Sequence, residues 1–169
     1  LSIVVLLPMP MGGIAGRILS WYSKILTKPN EVDFAPERIF RGSNIHVLSG
    51  TQGELVKINR EGDPLGPVVT PFPAPIIDGL IVEQVWIGIW LDREFRQARM
   101  AALPIDKEWE DGSSRDYLRT AINSLNGSEV IPSNSLWHRV LDSEPMKIGK
   151  SGENIVFATT SGIYMINSH

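Results

Sequence analysis

A chain of 169 residues with a net charge of −3 is long enough to bury one good core and short for several independent ones. Its basic and acidic residues are scattered without a long like-charge run, which argues against a dedicated nucleic-acid surface. Cysteine is absent, so disulfides and thiolate metal sites are excluded and stability rests on apolar packing and hydrogen bonds.

In chain order, Ser2–Leu7 is almost wholly apolar and β-branched at Ile3, Val4 and Val5, as suits a strand covered on both faces. Pro8 to Gly16 breaks it. The whole apolar start, Leu1 to Ile14, carries Pro8 and Pro10 and is too short to span a bilayer, so a membrane partner is not expected. A buried strand is one reading of it, and the tail of a truncated membrane or signal segment is the other. From Arg17 to Leu26, Ile18, Trp21, Ile25 and Leu26 recur at helical spacing, predicting an amphipathic helix that Pro29 ends.

Asn44–Leu48 and Leu55–Ile58 are short apolar runs around a turn with two glycines, Gly50 and Gly53, which predicts a hairpin. Pro64 to Pro75 is proline-dense and therefore extended, a link rather than a ladder strand. Leu80–Leu91, rich in isoleucine, valine and tryptophan, reads as one central strand. Asp92–Glu94 would be its turn and Phe95–Ile105 the return strand, although Phe95, Ala98 and Ala102 also fit a helix face. Arg115–Leu125 places Leu118, Ala121, Ile122 and Leu125 on one face, with Ser113 and Asp116 as a capping box, so a second short helix is expected. Leu136–Leu141 reads as an edge or outer strand, and Met146–Gly149 as the approach to a last hairpin. That hairpin pairs Ile155–Ala158 with Ile163–Ile166 around Thr159–Gly162.

The repeated units around Ser43–Gly62 and Gly152–Ser168 resemble the hairpins of quinoprotein-like β-propeller blades. The fold expected is mainly β with two short helices, its antiparallel hairpin repeats forming a propeller-like or other β-rich sheet assembly in one domain over residues 1–169. About three hairpins fall short of the roughly four blades that usually close a propeller ring, so the domain reads as incomplete, a piece of something larger. Exposed edges would then pair with another copy or be covered by the N-terminal strand and helix. The final hairpin, with Ile155 and Phe157 on one strand and Ile163 and Met165 on the other, is the edge expected to meet a second copy or a missing continuation of the parent protein.

Candidate chemistry is sparse. Gly12–Arg17 lies between a predicted strand and a predicted helix but lacks the spacing of a phosphate-binding loop, so a plain turn is expected. His46, His138 and His169 are the only histidines, none at metal-pair spacing, and no metal or cofactor is implied. No G-x-S-x-G elbow occurs. His138, between Trp137 and Arg139, is a candidate lining of a polar pocket or simply an edge-strand residue. Glu83 interrupts an apolar run and, if buried, needs a partner such as Arg96 or Arg99. Glu83, Arg99, Trp137, His138 and Arg139 are therefore the candidate binding residues, with no catalytic residue assigned. The expected role is a non-catalytic repeat scaffold for protein binding or assembly, partnered by its own copy or another protein. The alternative is a quinoprotein-like propeller that acts as an enzyme or binds a small ligand. One concave pocket gathering Glu83, Arg99 and His138 would favour the second, and an apolar edge without such a pocket the first.

Overall fold

The computed structural model describes residues 32–121, 131–132 and 134–166. The expected Ser2–Leu7 strand, the Gly12–Arg17 turn, the Arg17–Leu26 helix with Trp21 and Ile25, the end of the second helix beyond Ala121, and His169 lie outside them. Within them, strands dominate. They form three antiparallel sheets, each made of strands that are neighbours both in sequence and in space. Sheet one holds β1 (Pro36–Phe40), β2 (His46–Gly50) and β3 (Leu55–Ile58); sheet two holds β4 (Ile76–Val82), β5 (Val85–Asp92), β6 (Gln97–Pro104) and β7 (Trp137–Leu141). Sheet three holds β8 (Pro145–Ser151), β9 (Asn154–Thr159) and β10 (Gly162–Ile166), and a short helix α1 (Arg115–Ala121) lies between β6 and β7. The sheets do not close into a barrel.

The hairpins expected at Asn44–Ile58 and Asn154–Ile166 form as β2–β3 and β9–β10. Leu80–Leu91 is not one strand, however. Val82 pairs with Val85, so Glu83 and Gln84 are the two residues of a tight hairpin turn, and Glu83 takes a left-handed φ of 54°. A polar pair within an apolar run can mark such a reversal, because the loop residues of a tight hairpin take positive φ and turn their side chains to solvent. The return strand β6 is extended, so the helical alternative for Phe95–Leu103 is not taken. β1 and β8 were not anticipated as strands. Of the two helices expected, one forms, over Arg115–Ala121, and the other lies outside the described residues, so a fold with two helices is not borne out. Ser114 Oγ accepts the Tyr117 N–H at 3.3 Å, capping α1 in the usual serine manner. Arg115 anchors the helix to the β5–β6 turn, 3.2 Å from Asp92 Oδ2 and 2.9 Å from Glu94 Oε2.

Sheet two is the centre of the molecule because both of its faces are apolar. Alternation along β5 sends Trp86 and Trp90 to one side, where they pack with Phe40, Val47, Leu55, Phe72 and Trp109. It sends Ile87 and Ile89 to the other, against Ile148, Ile155 and Phe157 of sheet three. The period of two thus distributes one strand between two cores. Trp86 fits because the cross-strand pair Gly79 and Gly88 leaves its indole a bare slot. A Cβ on Gly79 would stand 3.2 Å from the ring, and one on Gly88 would overlap it. Leu118 of α1 closes the first core from the end, as expected for that residue. The proline-rich stretch carries the chain from β3 to β4, touching β3 through isolated bridges at Val69 and Pro64.

The first strands of the three sheets lie together, β4 being in contact with both β1 and β8. A bulge between Ile76 and Asp78 shifts the register. Ile76 therefore stays with the first core, while Asp78 pairs with Ile89 on the face toward sheet three.

Candidate functional site

The residues singled out in the sequence are divided between a turn and the two faces of sheet two. Glu83 is exposed at its turn, so it needs no buried partner. Arg99 pairs with Val140, and Ala101 with His138, while Ala102 faces Trp137 and Met100 faces Arg139. Arg99 and His138 thus share the face of sheet two toward sheet one, whereas Trp137 and Arg139 point to the opposite face. Trp137 packs against the second core and Arg139 is exposed.

Arg99 has the most unusual surroundings of the set. Its side chain is buried, with Nη2 donating to Gln97 Oε1 at 2.8 Å and the guanidinium 5.9 Å over the Phe72 ring. Nε and Nη1 have no hydrogen-bond partner among the described residues, and burial pushes its pKa down. Among the described residues no carboxylate pairs with it, so its burial is a cost to stability.

Two concavities are lined by other residues. The smaller, about 280 Å³, lies beside Lys57, Asp106, Lys107, Glu108 and Trp109. Lys57 Nζ donates to the Ile105 and Lys107 carbonyls at 3.1 and 2.7 Å and sits 5.3 Å over Trp109. Burial pushes the Lys57 pKa down while Glu108 and Asp106 draw it back up. With its ammonium occupied by two carbonyls, Lys57 clamps a loop onto β3.

The larger is an open cleft of about 610 Å³ where the first strands meet. Arg38 and Arg41 come from β1 and its end, Asp78 and Ile81 from β4, and Lys150 from β8. Asp78 joins all three sheets here. Its Oδ2 accepts the Ile148 N–H at 3.2 Å and lies 3.3 Å from Lys147 Nζ, and its Oδ1 is 4.0 Å from Arg38 Nη1. None of these residues was anticipated as functional. The signal in the sequence is faint, because Arg38, Asp78 and Lys150 are far apart in the chain and only the packing of three sheets makes them neighbours. Among the described residues no group of histidines and acids is placed to hold a metal ion, and no helix is long and apolar enough to cross a membrane.

The other feature of note is apolar. Val156 and Ala158 of β9 pair with Met165 and Ile163 of β10, so these four share the face of sheet three turned away from sheet two. Ile155 and Phe157 face inward and are buried, with Tyr164 stacked on Phe157 at 5.1 Å. The exposed half of the final hairpin is therefore its second strand.

No protein-family model matches the chain, and no curated protein does. Among solved structures, the computationally designed Ika4 protein is similar at 11% identity and a TM-score of 0.47, over 78% of this chain. The match spans 65% of the Ika4 chain.

Proposed function

We propose that this chain is a non-catalytic β-sheet scaffold for protein assembly, and that β10 pairs with the β10 of a second copy. The observation that carries the reading is the character of that edge. Gly162–Ile166 contains neither charge nor proline, and Ile163 and Met165 are 78% and 64% exposed. Sheet edges in soluble proteins are ordinarily blunted by charge, proline or cover. The other described edges have such devices: Glu37 and Arg38 on β1, Arg139 on β7, and Pro145, Lys147 and Lys150 on β8. β3 is bridged by the stretch around Val69, and β4 is in contact with β1 and β8. An edge meeting its own copy across a two-fold axis pairs antiparallel and is self-complementary, which favours a dimer over an open fibre.

The division of Glu83 from Arg99 and His138, the first on a turn and the others on one face of sheet two, supports the scaffold over the enzyme reading. A propeller-like arrangement belongs to the same proposal. The meeting of β1, β4 and β8 supports it, since blades of that kind place their first strands around one axis. Light scattering on the eluting chain tests the assembly, with Ile163→Lys/Met165→Lys as the variant. A dimer mass that the substitutions convert to monomer, with an unchanged circular dichroism spectrum, is expected. A wild-type chain that stays monomeric at high micromolar concentration, or a double variant that stays dimeric, overturns the reading.

A further inference from the structure

We propose that the cleft between the first strands of the three sheets binds a small organic phosphate. This goes beyond the scaffold reading and rests on different residues, for none of its lining belongs to β10.

The charges come first. Arg38, Arg41 and Lys150 line the cleft with one carboxylate, Asp78. That carboxylate is already engaged, with Lys147 Nζ at 3.3 Å, the Ile148 N–H at 3.2 Å and Arg38 Nη1 at 4.0 Å. Arg41 and Lys150 have no acidic partner within ion-pair distance among the described residues. The cleft is therefore cationic on a chain whose net charge is −3, so its sign is local to this site. Cations gathered in a concave wall focus a positive potential and draw an anion in. Arg38 adds further donors, since its side chain is 41% exposed and its contact with Asp78, at 4.0 Å, is longer than a hydrogen bond.

Shape and lining narrow the ligand class. Guanidinium forks match the oxygens of phosphate, and charge-assisted bonds of this kind are about twice as strong as neutral ones. Two arginines and a lysine suit a dianion better than a single carboxylate. Beside them stand Ile39, Leu80 and Ile81, an apolar wall with nothing to offer a bare ion. It offers contact to the organic body of a phosphate monoester. The volume of about 610 Å³ lies within the roughly 300–1,000 Å³ usual for small-ligand sites.

Titration calorimetry of the full chain at low salt, with phenyl phosphate and with inorganic phosphate as probes, tests this. Phenyl phosphate is expected to bind saturably, more tightly than inorganic phosphate, and to weaken as sodium chloride is raised. Arg41 and Lys150 are exposed, so Arg41→Gln/Lys150→Gln should leave the fold intact and weaken phenyl phosphate binding about tenfold or more. Lys107→Gln, at the other concavity, should leave it unchanged. No saturable heat up to about 10 mM phenyl phosphate, or equal binding by the double variant, overturns the site. Equal binding of the two probes overturns the organic phosphate as its ligand. Light scattering on the same double variant reads assembly separately, so failure here and failure of the dimer are distinguishable.

Discussion

Asp78 accepts the backbone N–H of Ile148 at 3.2 Å, and through this bond a side chain of β4 satisfies the free edge of β8 in the neighbouring sheet. Buried backbone donors are rarely left unpaired, so this carboxylate holds sheets two and three in register as well as bearing charge. Replacing it by Ala strands the Ile148 N–H, and the expected loss is about 1–3 kcal/mol of unfolding free energy. Asp78→Asn keeps an acceptor and should lose less. Urea denaturation of both variants checks this, and equal losses would place the effect in the ion pairs to Lys147 and Arg38 instead.

Gly88 is the floor on which Trp86 rests. A methyl there overlaps the indole, and because Trp86 packs with Phe40, Trp90 and Trp109, it has no free space into which to move. Gly88→Ala should cost about 1–3 kcal/mol through overpacking and change the near-ultraviolet circular dichroism of the tryptophans. Gly149→Ala, in a strand where an added Cβ meets nothing within 4 Å, should be close to neutral and serves as the comparison.

Arg99 is a buried cation with two donors that have no partner among the described residues and a pKa that burial pushes down. Breaking a good buried ion pair is costly, but removing an unpaired buried charge in favour of an apolar side chain of similar length is often neutral or stabilising. Arg99→Met should therefore unfold at the same or higher urea concentration, gaining up to about 1 kcal/mol or somewhat more. A loss of about 2 kcal/mol or more would show that the contacts to Gln97 and Phe72 outweigh the desolvation of the charge.

The local alternation of apolar residues was enough by itself to identify a mainly β chain, the hairpins β2–β3 and β9–β10, a helix beginning at Arg115 and an edge strand at Trp137–Leu141, because side-chain periodicity reports local geometry directly. It did not reveal that Glu83–Gln84 is a turn. A hydrophobic run buried on both faces has no alternation to interrupt, so a reversal within it leaves only two polar residues as its mark. Nor did it reveal β1 and β8. Pro36, Glu37, Arg38 and Lys147, Lys150 look like loop chemistry in isolation, and these stretches become strands by pairing with β2 and β9. The same holds for the cleft. Arg38, Asp78 and Lys150 lie on three different sheets, and their meeting depends on both faces of sheet two being covered, one by each neighbour. Only the tertiary structure decides that, since spacing along a chain carries no information about which apolar faces will find each other.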